Sequence, residues 1–345
     1  MKHASSLFPS TFHSRTSVAR LCAIVLFVAS ITGPTQVSAA APTTAPVTQK
    51  TFPTAEAAVD AFVAALRADD SAALTEIFGP DSEDLVSSGD AVADRNGRAR
   101  FVAAYDTAHE LVPGDSGSVV LEIGEDGWPS PIPLVQVDGK WRFDTDAGID
   151  EVVYRRIGRN ELGTIETCLG IAAAQQDYAA EGHDGQPAGI YAKKLISDPG
   201  KHNGLYWEPV EGERASPVGP FLAAASAEGY KKTTNSTSGT SAPYHGYLYK
   251  ALTGQGPAAK GGAKQYLDAQ GQMTGGFGVV AYPVEYEASG VKTFMVNQDG
   301  VVYQKDLGPK TAQLAAAMTV FNPDSTWTKV EDVVPDPDEA HNVAD

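Results

Sequence analysis

The order in which hydrophobic periodicity changes along this chain constrains its fold more than any other feature. Apolar residues first recur at helical spacing, as Val59, Phe62, Val63 and Leu66, behind a capping Thr54, and a second short helix is expected over residues 71–78, ending at Gly79-Pro80. Helical character resumes over 99–111 through Phe101, Val102 and Tyr105. Short β-type runs follow at 119–123, 132–137 and 141–143, and Asp138-Gly139 between the last two is a strong hairpin signal. This order predicts an α+β protein, with N-terminal helices and a curved antiparallel meander first.

Helical spacing then returns over about 148–180, with Ile149, Val152, Val153, Ile157, Leu162, Ile165, Cys168, Leu169 and Ala172 on one face. Gly158, Gly163 and Gly170 interrupt it, each costing about 1 kcal/mol relative to alanine, so a bend and a domain junction are expected near 158–163. A short helix is expected near 191–196 and another at 220–229, followed by a polar low-complexity loop at 231–242. Strands at 244–252 and 277–286 and a hairpin joining 293–296 to 301–303 across Asn297-Gln298-Asp299-Gly300 build a second antiparallel sheet against the long helix, and 311–320 closes the fold as a helix.

Residues 1–39 read as an export signal. Lys2, Arg15 and Arg20 give a basic start without an acid, residues 21–31 form an apolar run too short to span a bilayer, and Val37-Ser38-Ala39 offers small residues for cleavage. Removing those three cationic residues takes the formal charge from −17 to −20. So acidic a chain is a poor partner for nucleic acid or for anionic lipid. No later segment is long and apolar enough for a transmembrane span, so the mature chain is expected to be soluble and periplasmic or extracellular. Cys22 leaves with the signal and Cys168 stands alone, so packing and not an intrachain disulfide must hold the fold. The expected organisation is a signal at 1–39, a flexible leader at 40–51, domains at 52–160 and 161–330, and a disordered acidic tail at 331–345.

Candidate chemistry is thin. Gly114-Asp115-Ser116-Gly117 matches the nucleophile loop of chymotrypsin-like proteases, yet His109 lies only seven residues upstream on an expected helix, so a polar turn accounts for it. Asp144, Asp146, Asp150 and Glu151 alternate like calcium ligands, but the glycine is out of step with an EF-hand and Arg155 occupies the last ligand position; a helix N-terminus favours the same acids. Cys168 falls on an apolar helix face, and His183, His202 and His245 have no metal-ligand spacing. Residues 254–264 lack the order of a phosphate loop. The sequence thus implies no cofactor and no metal. Arg155, Arg156 and Arg159 form the densest positive patch, readable as ion pairing between the domains, starting with Glu151–Arg155 at i,i+4, or as an anion site. Tyr206, Trp207, Tyr244, Tyr247, Tyr249, Tyr282 and Tyr286 read as sheet packing ahead of a binding groove.

Residues 131–162 (PIPLVQVDGKWRFDTDAGIDEVVYRRIGRNEL), 189–207 (GIYAKKLISDPGKHNGLYW), 243–252 (PYHGYLYKAL) and 275–308 (GGFGVVAYPVEYEASGVKTFMVNQDGVVYQKDLG) resemble an uncharacterised family of exported bacterial proteins, the domain of unknown function 2950. The family has no assigned activity, so the resemblance transfers no mechanism. The first half is also similar to NTF2-like cone domains, which often hold a pocket, and the second half to the heads of type IV pilin-like proteins. Together these imply an exported, non-enzymatic protein that interacts with an envelope protein. The runner-up is a small-molecule binding protein with a pocket lined by Trp128, Trp141 and Phe143 beside Phe62 and Leu66, and a hydrolase comes third.

Overall fold

The structure, a computed structural model, describes residues 48–208, 210, 212, 215–219, 225–230 and 243–330. The expected signal, residues 40–47 of the leader, the polar loop at 231–242, part of the helix at 220–229 and the acidic tail lie outside the described residues.

Helix α1 (Ala55–Ala68) starts where the Thr54 hydroxyl accepts from the Ala57 amide, and it buries Val59, Phe62, Val63 and Leu66. Helix α2 (Ser71–Phe78) is capped by Asp70 and stops at Gly79. The polar stretch that follows is more structured than expected: a single turn, α3 (Glu83–Val86), leads into α4 (Ala91–Thr107). Asp90 starts α4 by accepting from the Val92 and Ala93 amides. The chain does not stay helical to residue 111. It turns into strand β1 (His109–Pro113), because pairing with β2 (Val119–Ile123) satisfies its backbone and Pro113 cannot continue a helical ladder.

Strands β3 (Trp128–Pro129), β4 (Leu134–Val137) and β5 (Lys140–Phe143) complete an antiparallel sheet in the order β1-β2-β4-β5, with β3 also on β2. Asp138 and Gly139 both adopt positive φ, 51° and 76°, as the tight β4–β5 hairpin requires. The core of this half is filled by rings. Phe62 meets Phe78, Phe101 and Phe143 edge to face at 5.2–5.3 Å, contacts that contribute about 0.5–1.5 kcal/mol each beyond burial.

Helix α5 (Thr145–Ala179) runs 35 residues without a break at the interrupting glycines. A Cβ at Gly158 or Gly170 would meet open space, and Gly163 lies so close to the His245 ring that a Cβ would sit 2.9 Å from Nδ1. The glycines therefore tolerate the helix or permit close approach; none breaks it. The helix passes through the expected boundary at 160/161, with Val152 against the first core and Cys168, Ile171 and Ala172 in the second.

Beyond it, residues 191–196 are irregular and not helical, held by bridges from Tyr191 to Met273 and from Ile196 to Tyr206. Strands β6 (Tyr247–Leu252), β7 (Gly254–Gln255), β8 (Lys264–Gln265), β9 (Gly278–Pro283), β10 (Lys292–Asn297) and β11 (Tyr303–Asp306) follow, then helix α6 (Thr311–Ala317), β12 (Val320–Phe321) and β13 (Thr328–Lys329). The large sheet is antiparallel in the order β13-β11-β10-β9-β6, and a small sheet runs β12-β7-β8. Every residue of β9 is buried, and its period of two explains how. Val279 and Ala281 join the core that includes Cys168 and Ile171 of α5, while Val280 and Tyr282 join a separate cluster with Ala315 of α6.

Candidate functional site

The three arginines of α5 have three different environments. Arg155 donates through Nε to Glu151 at 2.6 Å, the pairing its spacing implied, and its guanidinium lies 5.3 Å from the centre of the Trp128 ring. Arg156 donates to the Asp84 carbonyl and ties α5 to α3, while its Nε is buried without a hydrogen-bond partner. Burial holds its guanidinium below the ordinary arginine value, opposed by the charges of Asp94 and Asp84. Arg159 is held down first by burial and then by the like charges of Arg100 and Arg156, and among the described residues it has no ion pair. The residue as a whole is exposed, and its guanidinium stays charged.

Trp128, Trp141 and Phe143 do not share a pocket. Phe143 is 1% exposed, locked between Phe62 and Phe78, and Leu66 is buried in the same core. Trp128 is 38% exposed on the outside against Arg155. Trp141 alone of the three lines an open groove of about 410 Å³, at the end of the sheet where the start of α1 overhangs it; Thr54, Glu56, Leu111, Pro113 and Ser118 contribute. A second recess of about 130 Å³ lies beside Gln49, Arg142 and Asp146.

The candidate reactive side chains lie in separate settings. Cys168 is fully buried and its thiol is pushed up to about 12 by desolvation. Ser116 stands at φ 56° in the turn between β1 and β2, so the turn joins two strands and not a helix to a strand. His109 is on β1, stacked on Tyr105 at 3.8 Å with Nδ1 at 2.9 Å from the Tyr105 carbonyl. Asp144 and Asp146 occupy the start of α5, and among the described residues no group of three or more His, Cys, Asp or Glu is placed to hold a metal ion. Residues 254–264 form the β7–β8 hairpin, whose loop is closed by Gln255 donating to the carbonyls of Lys260 and Gly262. Among the second-half aromatics, Tyr206, Trp207, Tyr247 and Tyr282 are buried.

The joint that sequence reasoning missed is Asp90. Besides capping α4, its buried carboxylate accepts from the Tyr230 hydroxyl and the Gly246 amide, both at 2.9 Å. The charge of Asp90, after burial, pushes the Tyr230 phenol far up. Asn96 adds a bond to the Glu228 carbonyl, and Glu228 pairs with His245 at 2.9 Å. On α5, Glu161 accepts from the Val291 and Lys292 amides and Asn160 donates to the Ser289 carbonyl. The legible signal was an Asp at a helix start; its partners, 140 and 156 residues away, left no local trace.

No helix among the described residues is long and apolar enough to cross a membrane. No curated protein and no solved structure matches the chain. A family model described as "Protein of unknown function (DUF2950)" matches residues 49–330, nearly the whole described part, taking in both cores, α5 and the Asp90 joint. The chain belongs to that family.

Proposed function

We propose that the mature chain is an exported, non-enzymatic protein of the bacterial envelope that works by binding another envelope protein. The observations that support this reading are that Cys168 is buried with a raised thiol and that His109 is stacked on and bonded to Tyr105 of α4, while Ser116 stands apart in an exposed turn. The basic, then apolar, then small-residue order of residues 1–39 supports export, and the acidic balance favours protein over nucleic acid or anionic lipid as partner. Affinity capture from envelope extracts with the processed chain tests the reading: one reproducible partner is expected. Turnover in a hydrolase or oxidoreductase screen with no such partner overturns it.

A second reading has its own observation. The groove beside Trp141 is open, partly apolar and edged by the Ser118 hydroxyl and the start of α1, so it suits a small ligand better than the filled core does. Trp141 fluorescence titrated with a metabolite panel separates the two readings, since a saturable shift lost in Leu111→Glu supports the groove.

A further inference from the structure

The arginines of this chain fall into two groups. Arg67, Arg95, Arg98, Arg142 and Arg155 each have a carboxylate within 3.9 Å, as a chain with 43 acidic residues readily supplies. Among the described residues Arg100, Arg156 and Arg159 have none, and Arg100 and Arg159 make no hydrogen bond either. Arg156 spends one Nη on the Asp84 carbonyl, and its Nε is buried without a partner. These three are also neighbours. Arg156 and Arg159 lie one turn apart on α5, and the charges that act on Arg159 are those of Arg100 and Arg156. Beside Arg100 on α4, Phe101 and Val102 pack on the same core as Val152 of α5. Asn96 of α4 holds the Glu228 carbonyl, Glu228 holds His245, and the His245 ring lies against Gly163, one turn beyond Arg159. The carboxylates nearby are occupied. Asp94 accepts from the Ser88 amide and hydroxyl, Glu151 holds Arg155, and Glu161 accepts from the Val291 and Lys292 amides. Asp150 and Glu166 lie about two turns away along α5. The charges of Asp84 and Asp94 reach Arg156 but are not among those acting on Arg159.

We propose that Arg100, Arg156 and Arg159 form a binding site for a phosphate-type oxyanion on the face where α4 and α5 come together. Guanidiniums held close without a carboxylate repel one another, and an anion among them turns that repulsion into attraction. The fork of each guanidinium matches phosphate oxygens two at a time. Charge selects the ligand class. Asp84 and Asp94 already answer Arg156, so Arg100 and Arg159 leave two positive charges without a counter-charge. A phosphate monoester, carrying about −1.5 to −2 at neutral pH, balances both, whereas a carboxylate balances one. The cluster shares no residue with the groove beside Trp141.

Equilibrium dialysis of the processed chain against labelled inorganic phosphate at low ionic strength tests the site, and saturable uptake of one phosphate per protomer is expected. Arg100→Ala and Arg159→Ala should each weaken it about tenfold or more, the loss of one charge-assisted hydrogen bond. Both residues are exposed, so their melting curves without phosphate should match wild type. Arg67→Ala removes the same charge from a paired arginine and should leave uptake unchanged. Sedimentation with phosphatidylcholine vesicles carrying phosphatidic acid separates the sources. Vesicle binding lost in Arg159→Ala supports the site with a lipid headgroup as ligand; free phosphate uptake without vesicle binding supports it with a small phosphate ester. Absence of saturable uptake overturns the proposal. So does uptake that Arg100→Ala and Arg159→Ala leave intact, or that Arg67→Ala weakens as much as they do. Phosphate uptake needs no envelope partner and should survive Leu111→Glu, so its outcome is separate from both readings above.

Discussion

Phe62, Phe78, Phe101 and Phe143 hold the first half together through ring edges and faces, whereas the second half buries phenols, and each phenol has a hydroxyl to satisfy. Tyr178 donates to the His202 carbonyl, Tyr247 to the Lys292 carbonyl, Tyr266 to Gln255 Oε1, and Tyr249 reaches Thr164 Oγ1 at 3.5 Å. A phenylalanine core is assembled by shape and burial alone and accepts any arrangement that fills the space. A tyrosine core demands a particular partner at a particular distance, since an unsatisfied buried polar group costs about 1–3 kcal/mol. The second half needs such specificity more: its elements are short, many are loops, and its pairings join residues far apart in sequence.

The difference between the cores can be tested by substitution. The largest effect is expected from Phe143→Ala, which removes the ring shared by the Phe62 and Phe78 contacts and should cost about 3–5 kcal/mol in urea unfolding. Variants retaining only Trp141 or only Trp207 then report each half. Because α5 crosses both cores unbroken, both reporters should shift together; a shift at Trp141 alone would show that the halves melt separately.

Alkaline pH should weaken the fold through phenols of the second half. Burial pushes the phenols of Tyr244 and Tyr266 from 10.0 up to about 12. Each stays neutral when folded but ionises when unfolded, so the unfolded state binds fewer protons above pH 10 and stability falls from about pH 10 through about pH 12. Urea midpoints at about pH 9 and about pH 11 check the sign, and a Trp207 reporter that tracked Trp141 with no pH dependence would refute it.

Tyr247→Phe should cost about 1–3 kcal/mol by removing the hydroxyl donor from the partly buried Lys292 carbonyl, although the ring and its packing remain. A neutral result would make the tyrosine core as permissive as the phenylalanine one. The smallest effect concerns the helix that joins them. Gly158→Ala should stabilise by up to about 1 kcal/mol, because its Cβ meets nothing, while Gly148→Ala should destabilise despite the same propensity gain, its Cβ falling 2.1 Å from the Pro131 carbonyl oxygen. Thermal melts of the pair distinguish helix propensity from packing.

The elements that could be read from sequence share a local cause. Thr54 caps α1 three residues from its partner, Glu151 meets Arg155 one turn away, and the Asp138-Gly139 and 297–300 turns carry their conformation in their own residues. Where the reading failed, the deciding contact was distant. Residues 109–111 leave the helical pattern for β1 because β2 lies ready to pair, residues 191–196 are not helical because Met273 and Tyr206 bridge to their two ends, and α5 stays unbroken although three glycines counted against it. The candidate site divides in the same way. The ion pair of Arg155 was visible in its spacing, but not the Trp128 ring beside it, nor the Asp84 carbonyl that takes Arg156, nor Arg100 facing Arg159.

The amino-acid sequence by itself determined the α+β class, the acidic balance, the lone mature cysteine that any processing at residue 39 leaves, and the family, because these depend on composition, on period, or on neighbours within a turn. Tertiary structure decided that Phe143 is locked between Phe62 and Phe78, that an open groove lies at Trp141, that Asp90 pins residues 140 and 156 positions away, and that Tyr154, Leu162 and Leu169 of α5 are left exposed. Each of those outcomes depends on which surfaces meet after the chain closes long loops, a choice made by the summed burial and hydrogen bonding of residues that no local pattern brings together.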